Sequence, residues 1–357
     1  NAQALVAALS EDDVVVLHDP QTAGLIPAVR ERGVPVVWRC HIGADADDDR
    51  VLAAQKFLVD FVCQADALVF SREDYIWHGV DHDHVTIIKP TIDAFSPKNQ
   101  DLEAATARAI LQAAGLRTGR PASAPAFRRM DGTTEDVTHR ATVHGGGGLG
   151  PDDRFVLQVS RWDALKDPLG VIRGFAEHAA AHTDAHLVYA GPAVEAVADD
   201  PEGAAVLRDA RQAWDDLPSG VRERVHLALL PMDDLEENAA IVNALQREAS
   251  VVVQKSLAEG FGLTVAEAMW KARPVVASRV GGIQDQIEHG DSGVLLDDAR
   301  DLAAYGEAVL GLLHDEALAA ALGHAARERV RDHFLGSESL LHYLDLLQPL
   351  LARRDRR

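Results

Sequence analysis

The stretch Ser250–Arg273, SVVVQKSLAEGFGLTVAEAMWKAR, decides how the rest of the chain is read. Val251, Val252 and Val253 form a short β-branched run, the mark of a buried strand. Gln254 to Leu263 carries two glycines, Gly260 and Gly262, and reads as a loop. From Thr264 onward a helix is predicted, with Val265, Ala268 and Met269 on one apolar side. Strand, glycine-containing loop and helix is a common build for an anion-binding corner, because backbone amides and the positive helix end converge there. Glu259 and Glu267 stand eight residues apart across this corner. An ionised carboxylate only accepts hydrogen bonds and has two oxygens to do it with, so two carboxylates suit pairs of hydroxyls. Amides for a phosphate beside carboxylates for hydroxyls suit a nucleotide sugar better than a free nucleotide. Thr264-x-x-Glu267 also reads as a capping box, in which Glu267 merely ties down the helix start.

Working outward, the same alternation recurs. Downstream, Pro274–Ala277 is a predicted strand, Val280-Gly281-Gly282-Ile283 turns into a short helix, and Val294–Leu296 is a last strand. Upstream lie predicted strands Phe155–Ser160, Leu187–Ala190 and Val225–Leu230. Asp167 caps a helix with Pro168 at its first position. Arg161 and Lys166 share the strand-to-helix loop before it, where two cations make an anion clamp. A lysine near a helix start opposes the helix dipole, which favours a functional reading over plain surface charge. Earlier still, Val14–Leu17, Pro35–Arg39, Ala67–Phe70 and Val85–Ile88 are predicted strands, with helices Ala23–Arg32 and Val51–Val62 among them. Strands alternating with helices predict an α/β chain with parallel, doubly wound sheets. Ligands of such sheets lie beyond the carboxyl ends of the strands. His18, Asp19, Arg39, His41, Ser71 and Lys89 sit at such ends, although a strand-end histidine also fits plain hydrogen-bonded structure.

Two segments break the pattern. Residues 117–153 are rich in proline, serine, threonine and glycine and read as a linker or long surface loop. The run His144-Gly145-Gly146-Gly147-Gly148 within them lacks the strand before and helix after that a phosphate loop needs. The acidic Asp45–Arg50 has no fixed ligand spacing and reads as a solvated loop rather than a metal cluster.

Composition narrows the function. A chain of 357 residues has room for two domains with real cores. The net charge of −21 argues against nucleic acid and anionic membranes as partners. No apolar run reaches the roughly 18 residues of a membrane span. Two cysteines, Cys40 and Cys63, supply neither a disulfide framework nor a metal quartet, so a reducing, cytoplasmic setting is expected. A homodimer is allowed by the sequence but not specified by it.

The chain resembles the retaining nucleotide-sugar glycosyltransferases of the GT-B fold, in which two Rossmann-like domains face a cleft. The resemblance rests on Ser160-Arg161 with Lys166, on Glu259 and Glu267 with seven residues between them, and on Val280-Gly281-Gly282. Within that group it is most similar to the glycosyltransferring trehalose synthases and the retaining trehalose phosphorylases. The segments that carry this are HDPQTAGLI at 18–26, WRCHI at 38–42, QVSRWDALKDPLGVI at 158–172 and VVVQKSLAEGFGLTVAEAMWKARPVVASRVGGIQDQI at 251–287. The family pattern has an Asp where this chain has Gly43, and its N-terminal domain opens with further strands and a glycine-rich loop. An incomplete N-terminal domain is therefore expected.

The resemblance implies a domain plan: a partial N-terminal domain at 1–116, the linker at 117–153, a nucleotide-sugar-binding domain at 154–330, and a C-terminal helix at 331–357 packing back toward the first domain. It implies that Arg161 and Lys166 hold the diphosphate and that Glu259 approaches the transferred sugar. Phe261, Gly262, Leu263 and Thr264 would face the donor sugar, Glu267 its ribose hydroxyls, and His41 would contact the donor. His18, Asp19, Gln21 and Arg39 would lie on the acceptor side. The implied reaction makes α,α-trehalose, reversibly, from glucose and a nucleoside-diphosphate glucose (ADP- or UDP-glucose), with no metal or other cofactor. Phosphorolysis of trehalose to glucose 1-phosphate is the alternative, and a non-catalytic sugar- or nucleotide-binding fragment a third reading.

Overall fold

A computed structural model describes residues 1–43, 45, 48–145, 147–193 and 201–354. The chain divides into two units, Asn1–Thr91 with Phe334–Arg357, and Ile92–His333. The sequence plan put the first boundary near 116. In the structure, helix Ala104–Ala113 packs on helix Leu235–Glu248 of the second unit, so the divide falls earlier.

The first unit is built on four parallel strands in chain order, β1 (Val15–His18), β2 (Val36–Arg39), β3 (Ala67–Phe70) and β4 (Val85–Ile87). Side chains alternate between the two faces of a strand. Val36, Trp38, Leu68 and Phe70 therefore join one buried cluster, while Val37, Ala67 and Val69 join another. The second cluster is completed by Leu350, with Tyr343, Leu346 and Leu347 packed against it from helix Gly336–Arg354. Both faces are covered, which is why these strands read as unbroken apolar runs. Among the acidic residues at 45–50, residues 46 and 47 lie outside the described residues. Asp48 caps helix Asp49–Val62, and Asp45 pairs with Arg72 at 2.8 Å.

The second unit contains a two-stranded ribbon, β5 (Ala126–Arg128) with β6 (Thr134–Asp136). Its main sheet has seven strands, β7 (Thr142–Val143), β8 (Phe155–Val159), β9 (His186–Pro192), β10 (Val225–Leu230), β11 (Val251–Gln254), β12 (Val275–Ser278) and β13 (Val294–Leu296). Their order is β13-β12-β11-β8-β9-β10-β7, all parallel except β7, which runs antiparallel to β10. Residues 117–153 are thus not a free linker: they supply the ribbon and an edge strand. Arg117, buried, donates to the carbonyls of Gly150, Pro151 and Asp153 and closes the segment on itself. Such pairings across more than thirty residues leave no local periodicity to read. Helix Pro201–Asp215 was missed although its buried Gly203, Val206, Leu207 and Ala210 follow the helical spacing.

At the amino ends of β9 and β10, His186 Nδ1 and His226 Nε2 share a hydrogen bond of 2.8 Å, and His186 Nε2 lies 3.3 Å from Asp153. Burial above all, then the neighbouring His186, pushes His226 down to about 4. The unfolded chain then binds more protons than the folded one between that value and the ordinary 6.5. Stability from this residue is therefore present above pH 6.5 and lost as pH falls toward 4, by about 3 kcal/mol for a shift of this size. Thermal melts from pH 7 to 4 are expected to show a smaller loss in His226→Gln than in the parent. Parallel curves for the two proteins would refute this assignment.

Candidate functional site

The order of the larger sheet fixes the site. The chain steps from β8 outward to β9 and β10, then returns to β11 on the opposite side of β8. Loops after β8 and β11 therefore leave adjacent strands where the strand order reverses, the point at which such sheets take a ligand in a crevice. Lys166 on the first loop and Glu259 on the second form an ion pair there, and Ser256 donates a hydrogen bond to the same Glu259 oxygen at 3.2 Å. Residues 93 positions apart are thus joined at the switch point.

A buried polar scaffold holds the two loops. Lys255, with no exposed side-chain surface, pairs with Asp167, whose other oxygen caps the next helix at Gly170. Asp167 adopts a left-handed backbone, φ 49°. Gln158 donates to the Lys166 carbonyl at 2.7 Å and accepts from the Lys255 amide at 3.0 Å. Breaking such a buried ion pair at one end leaves an uncompensated charge, which is why loops tied this way hold their shape. Lys255 had been passed over in the sequence; a charge directly after a buried strand was the available signal.

The loop carrying Glu259 is backed by the Val280-Gly281-Gly282 turn. The Gly282 amide donates to the Gly260 carbonyl at 2.8 Å. Gln286 donates to the carbonyls of Phe261, Gly262 and Gly282. With these carbonyls held inward, the start of helix Leu263–Trp270 is left to present its first amides, which have no intrahelical acceptor. Gly262, φ 79°, is the N-cap of that helix and has no side chain with which to cap it.

This corrects the capping-box reading. Thr264 and Glu267 lie inside the helix rather than at its cap. Thr264 Oγ1 donates to Gln254 Oε1 at 3.0 Å, and Glu267 is buried. One oxygen of Glu267 meets Lys98 Nζ at 3.0 Å, while Oε2 has no hydrogen-bond partner among the described residues. An unpaired buried carboxylate oxygen costs roughly 1–3 kcal/mol or more, so it demands an explanation that a cap does not supply.

Arg161 is placed differently from Lys166. Its side chain is 73 % exposed and reaches Asp163 at 3.3 Å. The two cations therefore share a loop, but only Lys166 is fixed in the crevice.

In the first unit the strand-end residues form their own group. Asp19, φ 64°, accepts the His41 amide at 2.7 Å, and His18 Nδ1 lies 2.9 Å from His41 Nε2 with the rings stacked. Burial first, and the nearby Arg39 charge second, lower the His41 pKa. Gln21 is exposed on the short 3₁₀ turn Pro20–Leu25. Arg39 is buried and donates to the carbonyls of Phe70 and Ile88 and to Ser71. Its guanidinium closes the strand ends. Among the described residues, no group of three or more His, Cys, Asp or Glu has metal-ligand geometry, and no helix is long and apolar enough to cross a membrane.

Known proteins bear on the family and the fold. The family model described as glycosyl transferases group 1 matches residues 232–329, and that of the trehalose synthase N-terminal domain matches residues 1–77. A trehalose synthase of Rubrobacter xylanophilus is 36 % identical, over 98 % of this chain and 73 % of its own length. A trehalose phosphorylase of Grifola frondosa is 26 % identical, over 94 % of this chain and 44 % of its own. Among solved structures, HepE of Anabaena in complex with UDP superposes with a TM-score of 0.70 at 16 % identity, covering 98 % of this chain and 82 % of that one. That likeness speaks for the fold, and the identity to the synthase speaks for the family: this chain belongs to the trehalose synthase family of GT-B glycosyltransferases.

Proposed function

We propose that this glycosyltransferase makes α,α-trehalose, reversibly and with retention at the anomeric carbon, from glucose and a nucleoside-diphosphate glucose, ADP- or UDP-glucose. The observation that carries the reading is the meeting of Lys166 with Glu259 at the switch point of a sheet whose next helix also carries the half-paired Glu267. In the proposed reaction the bond from the anomeric carbon to the donor phosphate breaks, and negative charge builds on the departing diphosphate. Lys166, the first amides of helix Leu263–Trp270 and the exposed Arg161 stabilise that charge. Glu259 and the loop from Phe261 to Thr264 hold hydroxyls of the transferred glucose, and Glu267 holds the ribose. The acceptor hydroxyl oxygen bonds to the anomeric carbon on the face the diphosphate leaves and gives its proton to the leaving phosphate; no protein nucleophile is assigned. Cations placed in this way serve the leaving group as a metal does elsewhere, and no metal is required. In the first unit, the His18–His41 pair locked by Asp19 is the proposed group for sugar hydroxyls.

The test is direct. The purified chain is incubated with ADP-glucose or UDP-glucose and glucose, and trehalose and free nucleotide are measured, with and without a chelator. Stoichiometric trehalose and nucleoside diphosphate are expected, unchanged by the chelator. The similarity to a trehalose phosphorylase favours one competing reading. Glucose 1-phosphate formed from trehalose and phosphate, with no nucleotide present, would establish that reading instead.

A further inference from the structure

Lys98 lies far from every motif that the sequence singled out, yet its ammonium sits 3.0 Å from Glu267 Oε1. The turn that carries it is anchored with unusual thoroughness. Asn243 donates to the carbonyls of Pro97 and Gln100 at 3.0 and 2.9 Å, and Arg247 to that of Gln100 at 3.0 Å. Trp270 donates to the Asn99 carbonyl at 3.1 Å. Buried Lys271 bridges Asn99 Oδ1 and the Glu267 carbonyl, each at 3.0 Å. Donors from two helices thus take up the carbonyls of three successive or near-successive residues around Lys98. The same helix that holds Glu267 also holds the turn that presents Lys98 to it. Lys98 keeps about a third of its side chain exposed, while Glu267 is buried, so the pair runs from the surface inward.

We propose that Lys98 is a positioning residue for recognition of a nucleotide's ribose diol: it fixes one oxygen of Glu267 so that the other, Oε2, faces the ligand's hydroxyls. This inference rests on the reading of Glu267 as a ribose ligand. A carboxylate with both oxygens free rotates about its terminal bond. Anchored on one side by a cation, it offers the remaining oxygen in one direction as an acceptor. The unpaired Oε2 is what such an arrangement leaves for a ligand hydroxyl to satisfy. Behind the pair, burial above all lowers the Lys271 pKa to about 7, with Glu267 raising it and Arg247 and Lys98 lowering it further.

The experiment is calorimetric titration of the full chain with ADP and UDP and with their 2′,3′-dideoxy forms, for the parent, Lys98→Met and Lys98→Arg. Methionine keeps the packed stem and removes only the charge; thermal melting confirms that each variant folds. The parent is expected to lose about tenfold or more in affinity when the diol is removed, as for a hydrogen bond to a charged group. In Lys98→Met this discrimination should collapse to about twofold while affinity for the dideoxy form stays near the parent's, and Lys98→Arg should restore most of it. Full discrimination retained in Lys98→Met would overturn the proposal. So would an equal loss for both ligand forms, which marks a role in the turn alone. A parent that binds nucleotides without sensing the diol, or does not bind them, would instead reject Glu267 as the ribose ligand, and this inference with it.

Discussion

Lys166→Ala is expected to lower the rate of glycosyl transfer by a factor of about 10²–10³ while the protein still folds, the loss typical of removing one fixed donor from a developing anion. The structure makes the result interpretable because Lys166 is ion-paired with Glu259. Removing the lysine does two things at once: it deletes a cation from the crevice and leaves a largely buried carboxylate with a weaker shell. Ser256 still donates to Glu259, so the stability cost should stay within about 1–3 kcal/mol. A double-mutant cycle with Glu259→Gln separates the two effects. If Lys166 only neutralised Glu259, the double variant would be no slower than Glu259→Gln alone. If it stabilises the departing diphosphate, the double variant is slower than Glu259→Gln alone by about the factor that Lys166→Ala costs the parent. Turnover numbers from the trehalose assay and melting temperatures from the same samples decide between these outcomes.

Gly281→Ala is expected to give the largest structural effect of any single methyl group in the site. A Cβ at residue 281 would stand 1.9 Å from the Glu259 carbonyl oxygen and 2.8 Å from that of Gly260. Both obstacles are backbone, so no side-chain rotation relieves the clash. The left-handed φ of 52° adds strain for any residue with a Cβ. The loop bearing Glu259 must move or the turn must open, and each course breaks the bond from the Gly282 amide to Gly260. A loss of roughly 2–4 kcal/mol is expected, together with near-complete loss of transfer. Gly290→Ala is the control. Its φ of 82° carries the same kind of strain, but nothing lies within 4 Å of the added carbon, so a cost of about 1–2 kcal/mol is expected with activity kept. Equal melting temperatures for the two variants would show that the close approach of the two loops has no energetic weight.

Much of the fold was legible because its strands are buried on both faces and its helices are capped by residues that announce themselves. Asp167-Pro168 starts a helix where expected. β10 and β13 carry the bounds read from their apolar runs. The segment at 117–153 was not legible, since its strands are two or three residues long and depend on distant partners. Nor was the true start of helix Leu263–Trp270. Thr264-x-x-Glu267 satisfies the local rule for a cap, but Gly262 in a left-handed conformation begins the helix one residue earlier and turns Glu267 inward.

By itself, the sequence determined the local vocabulary of this protein: which residues form strands, which loops follow them, and which ionisable groups those loops carry. These features depend on periodicity and steric preference within a few neighbours, so a linear string contains them. Only the tertiary structure decided which loops meet. The placing of β11 beside β8 rather than beside β10 brings Lys166 to Glu259. The anchoring of the turn at 97–100 by two helices brings Lys98 to Glu267, and burial commits Arg39 to carbonyls at the strand ends. Strand order and burial are set by the packing of whole elements against one another, over separations at which local pattern carries no information.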